Sequence, residues 1–235
     1  MIKLIYNEFK KIGITKIVLS FIVFLLVIIT IYEFNNDMKN TIYNLIPFVG
    51  IMTSILFSGI ISNEIEQGTF RFYLTKPISR KNIYKSKLLT ISIYTICLLT
   101  FIFYIYSTLC QNIDKYYFVK FVKYSTSLLI INSLIIMLST IIRNTSLTVG
   151  ISISLLTFGM LITQLLLDIK LSFIEYTFLP YLDFSLFNDK ETIIAMNKIY
   201  NIKLSIKNGV IINIAYAYIF YLIGCNIFIK KDIKN

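Results

Sequence analysis

EIEQGTFRFYLTKPISRKNIYKSK (64–87) is the longest strongly charged, turn-rich stretch of an otherwise oily chain. It carries six Lys/Arg and two Glu, and it separates two runs, 43–62 and 88–110, that carry no charge at all. Each run reaches the ~20 apolar residues that a helix needs to cross hydrocarbon at ~1.5 Å per residue. The segment 64–87 therefore reads as a polar loop between two membrane helices.

Composition extends this reading to the whole chain. Of 235 residues, 57% are hydrophobic and 15% charged, with a mean hydropathy of +0.75. Soluble domains carry about 25% charged residues, so this chain cannot cover itself with a water-compatible surface. Its net charge of +11 lies between apolar runs rather than along a soluble face, which fits membrane topology and not a nucleic-acid partner. The abundance of Ile, Lys, Asn, Tyr and Phe also fits an AT-rich genome, which explains the number of lysines but not their placement. Cys97, Cys110 and Cys225 lie in or at the ends of apolar runs without paired spacing and read as small hydrophobes. There is no histidine, so imidazole acid–base chemistry and His-ligated metals are out. No metal or cofactor site is expected.

Six spans qualify: about 17–33, 43–62, 88–110, 124–142, 147–167 and 210–229. The basic leader before the first imitates a signal peptide, but IYEFNND follows where small residues would mark cleavage, so the span is kept. Arg143, Asn144, Thr145 and Ser146 alone separate the fourth and fifth, a tight helical hairpin. With the N-terminus inside, 1–16, 63–87, 143–146 and 230–235 hold 14 Lys/Arg against 4 acids. The opposite side holds 9 against 8, counting Glu33 at the end of the first span. The basic excess puts both termini in the cytoplasm. The expected fold is an all-α integral membrane protein, one domain over 1–235, with six transmembrane helices.

In 1–16, Ile2, Ile5, Tyr6, Phe9, Ile12 and Gly13 cluster on one helical face, opposite Lys3, Asn7, Lys10 and Lys11. That pattern predicts an interfacial amphipathic helix; the bland alternative is an unstructured basic leader. The loop 168–209 contains FIEYTFLPYLDFSLF (173–187), too apolar for a free loop and too short to span, hence a re-entrant or interfacial element. A helix should follow, with Asn188 or Asp189 as N-cap and Glu191 in its first turn.

Strictly between the span boundaries there is no Asp, Glu, Lys or Arg. Ion-coupled carriers place ionisable groups at depth, so a proton- or sodium-driven carrier is disfavoured. Asn132, Gln164, Asn213 and Asn226 are read as hydrogen-bonding between helices. No catalytic constellation and no GxxxxGK[ST] loop occurs, so any work must draw energy from another polypeptide.

Within 64–87, Glu64 and Glu66 follow a helix C-terminus, and Arg80 and Lys81 open a helix whose N-cap is Ser79. Both placements have the wrong sign for those helix dipoles. Pairing of the two Glu with Arg80 or Lys81 would orient the loop, and Lys85 and Lys87 are expected to snorkel to headgroups. Gly68 marks a tight turn, and Pro77 forces Lys76 out of helical geometry. Between them Thr69, Phe70, Arg71, Phe72, Tyr73 and Leu74 combine the residue types that anchor interfaces. Chemistry alone leaves two readings open: aromatics docking a partner, or aromatics lying flat on the membrane beside a solvated charged face.

The pattern E-x-x-x-G-T (64–69), L-x-x-P-I-S-R (74–80) and Lys87 resembles the first cytoplasmic loop of type-2 ABC transporter permeases, and FIKKDI (228–233) is similar to that family's closing pattern. The likeness extends over the chain in length, span count and loop layout, and the chain also resembles small bacterial permeases of peptide-antibiotic resistance and immunity systems, although related permeases are linked to sodium export, polysaccharides and other cargo. The resemblance implies a permease dimer, homodimeric or with a related partner, in the bacterial cell membrane. It also implies two cytoplasmic ABC ATPase subunits, seated on a coupling loop made of Glu64, Glu66, Gly68, Thr69, Phe70, Arg71, Phe72, Tyr73, Leu74, Pro77, Ser79 and Arg80. The last outer loop would dip into the outer leaflet. The chain would be a transporter subunit, not an enzyme. The competing reading is a non-transporting immunity or sensor scaffold that binds a peptide through its outer loop.

Overall fold

A computed structural model describes residues 1–34, 38–69, 78–110, 117–169, 172–182 and 190–230. No strand occurs among them. The helices are α1 (Ile2–Ile12), α2 (Ile14–Phe34), α3 (Met38–Phe57), α4 (Ser62–Glu66), α5 (Arg80–Cys110), α6 (Tyr117–Ile141), α7 (Thr145–Asp168), α8 (Leu179–Leu182), α9 (Lys190–Tyr200) and α10 (Ile206–Lys230). A 3-10 turn, Ser172–Tyr176, precedes α8. Five described helical segments are long and apolar enough to span, beginning with Leu45–Glu66. The bent pair Ile2–Ile12 and Ile14–Thr30 passes the same test only when its two helices are taken together, which makes up to six.

That pair bends by 72° at Gly13, whose φ of +92° lies where L side chains are strained. The bend lays α1 across the end of α2, against α5. Phe9 and Ile12 turn onto the core, while Ile2 and Tyr6 stay exposed. This bend is compatible with the interfacial position expected of an amphipathic helix.

The centre is built by α5, α6 and α10. α6 and α10 run against each other along their lengths, and α5 packs on both. Ile91, Tyr94, Leu98 and Ile102 of α5 meet Leu128, Ile131 and Ile135 of α6 in one buried cluster, joined by Phe24 and Ile28 of α2. Polar side chains pin these apolar contacts, because lipid supplies no hydrophobic drive between helices. Asn132 Nδ2 donates to Thr95 Oγ1 at 2.9 Å, Asn213 Nδ2 to Ser127 Oγ at 3.1 Å, and Tyr94 Oη to Ser20 Oγ at 2.8 Å. Gln164 and Asn226, expected to act likewise, are exposed on α7 and α10.

A smaller cluster, Leu167, Ile174, Tyr181, Ile193, Ile202 and Leu204, joins the end of α7 to the segment before α10. Pro180 and Tyr181 are buried, and Ser127 Oγ donates to the Tyr181 carbonyl at 2.9 Å. The apolar stretch after α7 is thus tucked against the bundle. Asn188 and Asp189 lie outside the described residues.

The span that begins at Leu45 breaks between α3 and α4. A break exposes backbone groups that hydrocarbon cannot satisfy. Here Ser139 Oγ of α6 accepts from the N–H groups of both Ile61 and Ser62 at 3.0 Å, and Lys87 Nζ donates to the Ile60 carbonyl at 3.0 Å. Ser62 and Thr148 hydroxyls share a further bond of 3.1 Å. Ser139→Ala leaves two buried N–H groups without their acceptor and should cost about 1–3 kcal/mol. Thermal unfolding in detergent is expected to show a lower midpoint for Ser139→Ala than for Ser154→Ala, whose hydroxyl is exposed and bonds only within its own helix.

Candidate coupling site

Four charged side chains from three helices meet beside this break. Lys87 of α5 is fully buried, with Nζ 2.9 Å from Glu8 Oε2 and 2.9 Å from Glu64 Oε1. Lys11 Nζ lies 2.6 Å from the same Glu64 oxygen and 3.4 Å from Glu8 Oε1. Glu8 is 3% exposed, whereas Lys11 is half exposed. A lone buried ammonium would be prohibitively costly to desolvate; two carboxylates and a carbonyl around it offset that cost. Opposite charges alternate around the group, so α1, α4 and α5 are tied together at one point.

The neighbouring charges solve a second problem. Glu66 ends α4, where its charge opposes the dipole, but its Oε2 accepts from the Thr145 N–H at 3.2 Å. It therefore sits at the N-terminus of α7, where an anion is favoured. Asn144 completes that end, its Oδ1 accepting from Ser146 and Leu147 at 2.9 and 3.2 Å. Arg80 begins α5, yet its Nη1 donates to the Ile229 carbonyl at 2.8 Å, in the last turn of α10. The wrong sign for their own helices is the right sign for adjacent ones.

Several expected site residues fall within the described structure. Gly68 ends α4 with φ +67°, its N–H bonded to the Ile65 carbonyl at 3.2 Å. Thr69 Oγ1 donates to the Glu64 carbonyl at 3.4 Å. Ser79 Oγ accepts a long 3.4 Å bond from the Asn82 N–H, a weak cap on α5. Phe70, Arg71, Phe72, Tyr73, Leu74 and Pro77 lie outside the described residues.

A family model described as ABC-2 family transporter protein matches residues 21–233. The chain belongs to that family. It is a multi-pass membrane permease of the bacterial plasma membrane, a transport subunit rather than a catalyst. It is also similar to the uncharacterized protein YhcI of Bacillus subtilis, at 27% identity over 218 residues, covering 82% of this chain and 67% of that protein.

In this ABC-2 permease the sequence reading of two charges needs correction. Glu64 pairs with Lys11 and Lys87, where Arg80 or Lys81 was expected. Lys87 does not snorkel: it points into protein, two turns inside α5, and only Lys85 is exposed. Glu8 and Ser139 join the expected site residues. The available signal was Glu8 itself, a lone acid among four lysines in 1–16, three residues from Ile5 and four from Ile12, hence beside the apolar face.

Lys87→Met should cost about 3–5 kcal/mol, because it strands buried carboxylate charge. Lys85→Met, two residues away, should stay within about 0.5 kcal/mol. Thermal midpoints of the purified permease check both; equal midpoints would remove Lys87 from its place in the account.

Proposed function

We propose that the permease forms half of an ATP-driven exporter, paired with a second permease copy and driven by a separate cytoplasmic ABC ATPase subunit. Both termini and the segment 63–87 lie in the cytoplasm in this reading, which the distribution of Lys and Arg supports. The ATPase docks on 69–75, with Phe70, Phe72, Tyr73 and Leu74 supplying the apolar contact.

One observation carries the proposal. The two flanks of 70–77 are held to four helices: Glu64 to α1 and α5, Glu66 to α7, and Arg80 to α10. A partner that shifts this loop would pull on all four helices together. Such anchoring suits a coupling element and has no use in a loop that merely lies on lipid.

The cargo we assign is amphiphilic, with antimicrobial peptides as its class. Among the described residues, the buried charged side chains lie near helix ends, at Glu8, Glu64, Lys87, Lys120 and Lys123. The Nδ2 groups of Asn132, at mid-span, and of Asn213, near a span end, donate to neighbouring helices. The remaining interior is apolar with scattered hydroxyls, a surface suited to substrates drawn from the bilayer and ill-suited to a small ion.

Phe70→Ala combined with Phe72→Ala should abolish copurification with the ATPase and reduce transport at least tenfold, while the permease unfolds at its unchanged temperature. Stoichiometric copurification with full transport would refute the docking surface. Protection of cells against sodium alone, and not against lantibiotics or bacitracin, would refute the cargo class.

A further inference from the structure

A cleft of about 510 Å³ opens where α1 leaves the span, between the α1–α2 bend and the inner ends of α3 and α7. Its lining is divided by chemistry. Glu8, Lys11, Lys16, Asn63 and Glu64 supply its charged and polar lining; Ile55, Leu56 and Val149 supply apolar lining. Lys16 and Asn63 are exposed, and Ile55 is 49% exposed. The volume falls within the ~300–1,000 Å³ of small-molecule sites, enough for a headgroup and the first part of an acyl chain.

The position of the cleft selects its occupant. α1 lies along the interface, because Ile2 and Tyr6 are 83% and 65% exposed and need an apolar surrounding. Lys16, three residues beyond the bend, is therefore at headgroup level. Aliphatic residues of α3 and α7 continue from it towards the hydrocarbon. The acids of the cleft, Glu8 and Glu64, are engaged by Lys87 and Lys11, so Lys16 is its surplus charge. An amphiphile with a negative headgroup matches both kinds of lining.

We propose that this cleft binds one anionic phospholipid, its phosphate on Lys16 and Lys11 and its acyl chain along Ile55, Leu56 and Val149. The lipid is a resident of the leaflet that meets α1, not cargo, and its binding requires no ATPase. Because Lys11 is shared with Glu64, the lipid also touches the ion group that holds α4.

Native mass spectrometry of the full-length permease in mild detergent tests this with phosphatidylglycerol as the probe and phosphatidylethanolamine as the comparison. One phosphatidylglycerol should be retained in preference to phosphatidylethanolamine. Lys16→Gln should weaken retention about fivefold, the factor for about 1 kcal/mol per lysine at a membrane surface. Val149→Phe, which crowds the apolar lining, should weaken it as well, while Lys207→Gln, exposed near the start of α10, should leave it unchanged. Equal retention of the two lipids, or wild-type retention by Lys16→Gln, would overturn the proposal. Displacement of the lipid by millimolar inorganic phosphate would overturn it too, assigning the lysines to a free anion.

Discussion

The structure turns on a buried ammonium. Lys87 sits within the protein two turns into α5, and such a charge is tolerated only because acids and a carbonyl are brought to it from elsewhere in the chain. Glu8 comes from a helix that Phe9 and Ile12 alone would otherwise hold to the core. Glu64 comes from a helix of five residues that could not hold itself in place. The Ile60 carbonyl is free to be used because the span breaks there. One requirement, the compensation of Lys87, thus fixes the N-terminal helix, the break after α3 and the start of the charged loop.

The same economy governs the helix ends around it. Four helices finish or begin near one level, and each end carries a partial charge. Glu66 and Arg80 neutralise ends that belong to distant parts of the sequence, 79 and 149 residues away. Side chains that would weaken an isolated helix strengthen the assembly. The arrangement also ties both flanks of the loop to other helices, Glu66 to α7 and Arg80 to α10.

How much of this could be read beforehand follows from the range of each interaction. Hydropathy is local, so runs such as 88–110 and 210–229 announce helices, and α5 and α10 are found there. The hairpin cap at Asn144 is equally local. Partners of the loop charges are not local: the loop pattern includes Lys87 and not Lys85, but the burial of Lys87 depends on which face of α5 meets α1. The dipole of a charge's own helix is read from the sequence, but the helices that Glu66 and Arg80 serve are apparent only in three dimensions. Ser139 looked like any other serine of a span until the break in the preceding helix gave its oxygen two donors.

Hydrogen exchange of backbone amides, comparing the native permease with Lys87→Met, measures most directly whether this charge holds α1, α4 and α5 together. Amides of α1 and α4 should lose protection together, by at least tenfold in exchange rate, while the α6–α10 pair keeps its own. Unchanged protection in α1 would contradict the account, since the N-terminal helix would then be held by Phe9 and Ile12 alone and the ion group would be incidental.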